Sequence, residues 1–234
     1  VQRMPATIEL ALFSLFISLI FAIPLGIYAG LKPESKISKT IMAGSILGFS
    51  MPTFWVGILF IMFFAVYLGW LPSTGRGEIG SFLGVRSSLF TLDGLSHIFL
   101  PALNLALFKL SSVIRLTRAG TREIIHQDYI KFARAKGVAE SRVINVHLLK
   151  NILIPIVTII GLEFGSLIAF STVTETVFAW PGMGKLIIDS IYNLDRPVIV
   201  AYLMIIVIFF VFLNLLVDIL YTLLDPRVRV QGSN

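Results

Sequence analysis

The stretch "TIELALFSLFISLIFAIPLGIYAGL" (residues 7–31) carries a single charged side chain, Glu9, among runs of Leu, Ile and Phe. An α-helix needs about 20 apolar residues to cross the hydrocarbon core of a bilayer. Four more windows of this kind follow, at about residues 40–68, 98–116, 152–178 and 198–224. None shows the period-two alternation that a membrane-spanning β-strand requires. The sequence therefore predicts an all-α integral membrane protein with five transmembrane helices.

The overall composition agrees with this prediction. Only 14% of the 234 residues are charged and 56% are hydrophobic, whereas soluble domains carry nearer a quarter of charged residues. The apolar surplus therefore indicates membrane spans rather than one large soluble core. The chain has no cysteine, which excludes a disulfide framework and a thiolate metal site. For the net charge of +6, the positions of the Lys and Arg residues along the chain are more informative than the total, because these residues set membrane topology.

The positive charges divide unequally between the two sides of the predicted membrane domain. Thirteen Lys and Arg follow the first, third and fifth spans, five lie on the other side, and Lys109 falls inside the third span. The positive-inside rule places the side with 13 charges in the cytoplasm. We therefore expect a single transmembrane domain over residues 1–226, a cytoplasmic tail over 227–234, and an outside N-terminus. Since no signal peptide precedes it, we also expect a further helix before residue 1.

The longest cytoplasmic connection, residues 119–150, contains an amphipathic segment. In "DYIKFARAKGVAESRVINVHLLKNILIP" (residues 128–155), the side chains of Tyr129, Phe132 and Ala133 share a helical face with Ile125. Gly137 can adopt positive φ and end this helix. Periodicity alone allows two interpretations. The helix rests on anionic lipid, or it docks into a groove of a cytoplasmic partner.

Motifs along nearly the whole chain resemble those of the permease subunits of binding-protein-dependent ABC importers, of the oligopeptide/dipeptide/nickel type. In chain order these motifs are Thr7-Ile-Glu-Leu-Ala, Pro52-Thr-Phe-Trp, Gly69-Trp-Leu-Pro, Leu100-Pro-Ala-Leu, Arg115-Leu-Thr-Arg-Ala, Tyr129-x-x-x-Ala133-Arg-Ala-Lys-Gly137, Asn151-x-x-x-Pro155, Glu175-Thr-Val-Phe-x-Trp-Pro-Gly-x-Gly and Leu224-Asp-Pro-Arg-Val-Arg. Each motif alone is modest, but the ordered set is specific.

This resemblance implies a type I ABC importer permease fold with six spans, of which this chain would lack the first. It implies a multi-pass protein of the prokaryotic inner membrane that forms half of a translocation pathway for peptides, nickel, glycosides or a related solute. The implied partners are a second homologous permease, two cytoplasmic ATPases, an extracytoplasmic substrate-binding protein and the lipid bilayer; no nucleic acid is implied. The implied ATPase-coupling residues are Tyr129, Lys131, Phe132, Ala133, Arg134, Ala135, Lys136 and Gly137.

Two positions of this segment depart from the resemblance. Lys131 stands where the general permease motif has Glu, so an acidic contact is not expected there. Ala139 replaces the Ser usual in the peptide-type branch, which removes a helix N-cap at a cost of about 1 kcal/mol.

No nucleotide site is expected in this chain. The segment Ala179–Leu186 ends its glycine-rich run with Gly-Lys, but Ala179 and Leu186 occupy the positions that need Gly and Ser or Thr. The chain is thus expected to be a non-catalytic subunit without cofactors, and its ATPase partners would bind ATP and Mg²⁺.

Three ionisable residues fall at membrane depth, where charge is costly: Lys109, Glu163 and Asp218. Lys109 and Glu163 lie at similar depths on successive spans, which allows an ion pair. Equally, Lys109 could extend toward the membrane surface while Glu163 faces a water-filled pathway. An alternative function is an ion-coupled secondary transporter or channel-like protein that uses these three residues. A third is a membrane scaffold without transport.

Overall fold

The computed structural model describes residues 3–82 and 84–224, without the side chains of residues 154, 158–160, 162, 163, 217, 218 and 220–224. The α-helices within these residues are α1 (Arg3–Leu31), α2 (Lys36–Ser50), α3 (Thr53–Phe60), α4 (Leu92–Ile124), α5 (Asp128–Ala135), α6 (Glu140–Arg142), α7 (Leu149–Val177), α8 (Met183–Tyr192) and α9 (Arg196–Leu224). Wider π-type turns extend α3 over Ile61–Tyr67 and join α6 to α7 over Val143–Leu148.

Three described helices are long and apolar enough to cross a membrane: Arg3–Leu31, Leu92–Ile124 and Arg196–Leu216. They match the first, third and fifth predicted windows, and α7 covers most of the fourth. Within the predicted span over residues 40–68, the chain bends by 104° between α2 and the helix that starts at Thr53, and the two helices together are apolar enough to form one bent span. Pro52 lies at the break. A proline lacks the amide donor and disfavours helical backbone at the preceding residue, which ends α2 there.

A short antiparallel hairpin lies in the connection after the second window. Strand β1 (Gly80–Phe82) pairs with β2 (Val85–Ser87), with Gly80 opposite Ser87 and Phe82 opposite Val85. A 3₁₀ turn over Ser88–Phe90 then leads into α4. The hairpin is the part of the described chain that departs from the all-helical prediction, and it leaves the fold class unchanged.

Compactness divides the chain into two units. The first consists of Val1–Ser18, Leu47–Lys109 and Phe164–Phe209. Its core contains Leu10, Ile98, Leu105 and Leu167 around Trp180, which is fully buried. The indole N–H of Trp180 donates to the carbonyl of Ala6 at 2.9 Å. A buried indole needs such a partner, and this bond ties the turn after α7 to the beginning of α1.

The second unit consists of Leu19–Ile46, Leu110–Glu163 and Phe210–Asn234. Here α1 and α4 approach closely through small residues. A Cβ placed on Gly26 would lie 2.5 Å from the Cβ of Thr117, and one on Gly30 would lie 2.5 Å from the Cβ of Thr121. The four-residue spacing on both helices is the small-xxx-small arrangement that lets helix backbones pack against each other in membranes.

Candidate coupling segment and buried polar clusters

Helix α5 is anchored to the second unit by one apolar face. Ile130 is fully buried and Ala133 is 8% exposed. Both belong to a core cluster with Ile125, Val143 and Leu148. Burying an isoleucine side chain contributes about 1.5–3 kcal/mol. Helix α5 is therefore held on the protein and is not a free amphipathic segment.

The neighbouring face of α5 presents two aromatic side chains outward. Tyr129 is 43% exposed and Phe132 is 62% exposed. The ammonium of Lys136 lies 4.5 Å from the centroid of the Phe132 ring, a cation–π contact. The predicted face of Ile125, Tyr129, Phe132 and Ala133 is therefore split between buried and exposed residues.

The split has a local cause. α4 ends at Ile124 and α5 begins at Asp128, after Gln127 in extended backbone. Counting a helical period from Ile125 across this break gave the wrong phase for α5. The missed residue is Ile130, whose spacing of three from Ala133 marks the buried face within α5 itself.

Gly137 ends α5 as the sequence predicted. Its φ is +77°, and the last turn closes by two crossed hydrogen bonds. The amide of Gly137 donates to the carbonyl of Arg134 at 2.9 Å, and the amide of Val138 donates to the carbonyl of Ala133 at 3.2 Å. This pattern is the Schellman motif, which satisfies the carbonyls left without partners at a helix end.

Charged residues brace the segment on both sides of Gly137. The guanidinium of Arg134 bonds the Glu140 carboxylate twice, from Nε at 3.1 Å and from Nη2. This hydrogen bonding lowers the pKa of Glu140 and raises the pKa of Arg134. At the start of α5, Lys131 donates to Asp128 at 2.9 Å, which lowers the pKa of Asp128. Lys131 thus binds within its own helix.

Two alanines near Gly137 have simple environments, and the first of them is a predicted coupling residue. Ala135 is exposed on α5, where an alanine favours the helix. Ala139 is the N-cap of α6 and makes no side-chain capping bond, as its sequence predicted. The neighbouring Glu140 adds a negative charge to the first turn of α6, which favours a helix N-terminus.

A buried carboxylate, Glu175, organises the turn after α7 in the first unit. It accepts hydrogen bonds from the hydroxyl of Thr7 at 2.7 Å, the hydroxyl of Ser171 at 3.2 Å and the backbone amide of Lys185 at 3.0 Å. The Thr7 hydroxyl in turn accepts from the amide of Met183 at 2.8 Å. Glu175 and Thr7 therefore fix the beginning of α8 to the beginning of α1.

Glycine is required beside this carboxylate. A Cβ on Gly182 would overlap the carboxylate of Glu175, and one on Gly184 would overlap the backbone of Thr172. These contacts explain two glycines of the Trp-Pro-Gly-x-Gly motif. The sequence had supplied the motif, but only the fold shows that Glu175 is the group the motif surrounds.

A second buried acid, Glu9, connects α1 to the hairpin connection. It accepts from the backbone amide of Ser88 at 2.9 Å and from the Ser88 hydroxyl, and it forms an ion pair with Arg76. The Arg76 guanidinium lies 5.8 Å from the Trp180 ring. A buried charge needs such pairing and hydrogen bonding. Glu9 thus bridges elements of its own chain.

The predicted intramembrane polar residues are described only in part. Lys109 is 5% exposed, and its ammonium donates to the Ser166 hydroxyl at 2.8 Å and lies 5.6 Å from the Phe108 ring. The side chains of Glu163 and Asp218 lie outside the described residues. The Lys109–Glu163 ion pair therefore stays a prediction.

Asn104 bridges α4 and α7 in the first unit. Its amide donates to the hydroxyl of Thr174 at 3.1 Å, while its carbonyl oxygen is buried and has no partner among the described residues.

Comparisons with known proteins agree with one another. A family described as "Binding-protein-dependent transport system inner membrane component" matches residues 22–230. The di/tripeptide transport system permease DppB of Pseudomonas aeruginosa is 39% identical over 240 residues, covering 97% of this chain and 71% of the relative. The oligopeptide transport system permease AppB of Bacillus subtilis is 40% identical, covering 97% and 70%. The dipeptide permease DppB of Escherichia coli K12 is 35% identical, covering 98% and 72%.

A solved structure shows the same fold. An inward-facing structure of the MetNI methionine ABC transporter matches with a TM-score of 0.71 and 19% identity, covering 94% of this chain and 93% of that chain. The predicted fold class, an all-α membrane permease of the type I ABC importer kind, is confirmed. These relationships do not favour the ion-coupled transporter or the scaffold. The chain belongs to the family of binding-protein-dependent transport system inner membrane components, and the predicted family is confirmed.

Proposed function

We propose that this chain is the permease subunit of an ATP-driven importer of short peptides. The relatives named above are permeases of di/tripeptide, oligopeptide and dipeptide transport systems, and peptides are the solute class their names share. In this proposal the chain forms half of the translocation pathway and hydrolyses no ATP itself. Two cytoplasmic ATPases bind ATP and Mg²⁺, a second homologous permease completes the pathway, and an extracytoplasmic binding protein delivers the peptide.

The observation that carries the proposal is the two-sided construction of α5. Ile130 fixes the helix to its own unit, whereas Tyr129 and Phe132 project outward. Large exposed aromatics on a short, anchored helix are the side chains that dominate binding energy when they fill a partner's pocket. The excess of Lys and Arg on the same side of the spans supports a cytoplasmic position for α5 and for the C-terminus.

The same construction suggests how movement of an ATPase reaches the pathway. When the ATPases close on ATP, they would shift α5 through Tyr129 and Phe132. The Gly137 cap and the Arg134–Glu140 pair resist bending between α5 and α6. Displacement of α5 is therefore passed to the helical turns that follow Glu140 rather than lost in a flexible loop.

On the other side of the membrane, the hairpin connection and α8 are proposed to receive the binding protein. Both are held by buried bonds within the first unit: Glu9 to Ser88, and Glu175 to Lys185. Elements fixed in this way offer a pre-organised surface, which lowers the entropic cost of docking.

The test is co-purification of the full-length tagged chain from its own membrane, followed by native mass spectrometry. A wild-type assembly with a second permease and two ATPase subunits is the expected result. The variant Phe132→Ala is expected to lose ATPase subunits, with affinity reduced at least about fivefold, because truncating a buried hot-spot aromatic costs more than about 1 kcal/mol.

Phe82→Ala is the matched control, since Phe82 and Phe132 are both 62% exposed and Phe82 lies on the hairpin. It is expected to retain the ATPases. If both variants retain them equally, α5 does not dock as proposed. If the wild-type chain purifies alone and transports an ion down its gradient, the importer proposal itself is wrong.

A further inference from the structure

The second unit contains a cavity of about 510 Å³ beside the coupling segment. The side chains that line it include two apolar, three cationic and one acidic group: Leu31, Ile125, Lys32, Arg122, Arg134 and Glu140. They come from the end of α1, the end of α4, and the two helices on either side of Gly137. The volume is within the range of about 300–1,000 Å³ typical of small-molecule sites.

The charges around this cavity do not balance. Glu140 is paired with Arg134 through two hydrogen bonds. In the described part of the chain, neither Lys32 nor Arg122 forms an ion pair; the Lys32 ammonium lies 5.8 Å from the centroid of the Tyr28 ring. Two cations thus remain uncompensated next to apolar walls. Both side chains are solvent-exposed, and an anion bound in the cavity would be attracted to both of them.

The cavity lies at a defined depth relative to the membrane. Lys32 directly follows α1, and Arg122 lies in the last turn of α4. Both of these helices are long and apolar enough to cross a bilayer. Because the first predicted span ends at Leu31, Lys32 lies near the depth of the lipid phosphates, whichever face of the membrane this is, and Arg122 lines the same cavity. Basic pockets between spanning helices are known to bind acidic lipid headgroups.

We propose that this cavity binds the headgroup of an anionic phospholipid. The phosphate contacts Lys32 and Arg122, and the glycerol and upper acyl chain lie against Leu31 and Ile125. The mixed lining distinguishes this assignment from simple complementation of the helix dipoles. For that role the cations need no cavity and no apolar wall.

Binding here would also reach the coupling segment. Arg134 lines the same cavity while it holds Glu140. A phosphate that draws Arg134 toward itself competes with Glu140 and loosens the brace between α5 and α6. The lipid would then modulate coupling without touching the peptide pathway.

The experiment is native mass spectrometry of the purified full-length assembly, titrated with phosphatidylglycerol and, separately, with phosphatidylcholine. Wild type is expected to retain one phosphatidylglycerol per copy of this chain in preference to phosphatidylcholine. The double variant Lys32→Gln/Arg122→Gln is expected to bind it about thirtyfold more weakly, the change that follows from removing two cations at a membrane surface.

The control is Lys36→Gln/Arg142→Gln, which removes the same charge from exposed positions that do not line the cavity. It is expected to retain the lipid. Equal loss in both variants, or no preference for phosphatidylglycerol in wild type, overturns the proposal. A third titration uses inorganic phosphate in place of the lipid. If the assembly retains inorganic phosphate as well as it retains phosphatidylglycerol, the assignment of the cavity to a lipid headgroup is wrong. Lipid retention is scored by mass, so its failure is separable from a failure of peptide transport.

Discussion

Replacing Gly137 by alanine isolates the contribution of one backbone conformation to the coupling segment. Gly137 has φ +77°, and a Cβ built on it meets no atom within 4 Å. The substitution therefore introduces no clash, and its cost is the left-handed backbone alone, about 1–2 kcal/mol for a residue with a Cβ. Because Gly137 closes the last turn of α5, this cost raises the population of the open turn by a factor of about 5–30.

Hydrogen exchange of the full-length protein measures this opening directly. We expect amides near the end of α5 in Gly137→Ala to exchange about 5–30 times faster than in wild type, and the rest of the second unit to be unaffected. Gly137→Asn is expected to fall between glycine and alanine, because asparagine tolerates this backbone region better. ATPase stimulation by peptide should decline in the same order.

Gly69→Ala is the matched control. Gly69 also has positive φ, +64°, and open space around the added Cβ, but it belongs to the first unit. It should cost the same free energy without changing exchange in α5. The reasoning is refuted if Gly137→Ala leaves exchange in α5 at the wild-type rate, or if the asparagine variant is as perturbed as the alanine variant.

Three further predictions concern other contacts. Thr7→Val removes a hydroxyl that donates to Glu175 and accepts from the amide of Met183, so the free energy of unfolding in detergent should fall by about 1–3 kcal/mol. Thr7→Ser should restore most of this stability. A valine variant as stable as wild type would contradict the network. Gly26→Ala forces a Cβ to within 2.9 Å of a backbone carbonyl oxygen and should cost at least about 1–3 kcal/mol of stability. Gly44→Ala, whose Cβ would meet nothing within 4 Å, should leave the melting temperature of the isolated chain unchanged or higher. Equal melting temperatures for these two variants would exclude a tight helix crossing. Hydrogen bonding to Arg134 lowers the pKa of Glu140, so the pair stabilises the segment fully above the ordinary glutamate pKa of about 4.3 and is lost as pH falls through the lowered pKa. Protection of α5 against hydrogen exchange, corrected for intrinsic exchange, should therefore be level from pH 6 to 8 and fall in acid, and Glu140→Gln should remove that acid-dependent part. A fall in protection already near pH 7 would contradict this role of the pair.

The membrane helices and the end of α5 could be predicted from sequence because each depends on local information. Apolar length fixes a span, and Gly137 is a residue that readily adopts positive φ at a helix end. Pro52 also carries a sequence signal for the bend, since proline cannot donate the next helical hydrogen bond. The mean hydropathy of the window does not respond to one proline, so a prediction based on hydropathy gives one continuous span. The buried face of α5 was misplaced because the period was carried across the break at Gln127.

The polar clusters could not be predicted because their partners are distant in sequence. Nothing near Glu175 indicates that Thr7 will bind it, and nothing near Glu9 indicates Ser88 or Arg76. Such pairs form only when the chain folds, and a single sequence shows each member alone. The close crossing of Gly26 with Thr117 had a signal in its four-residue spacing, but spacing does not identify the helix that approaches.

The bond between Thr7 and Glu175 joins residues 168 positions apart. During synthesis, Thr7 is made early and waits until most of the chain has emerged before its acceptor exists. The first unit therefore closes late, after the segments between have been inserted, since distant contacts repay the entropy of loop closure only when both ends are present. Until then the Thr7 hydroxyl lacks its Glu175 partner, and a chain that stops before Glu175 cannot form the bond that joins the turn after α7 to the beginning of α1.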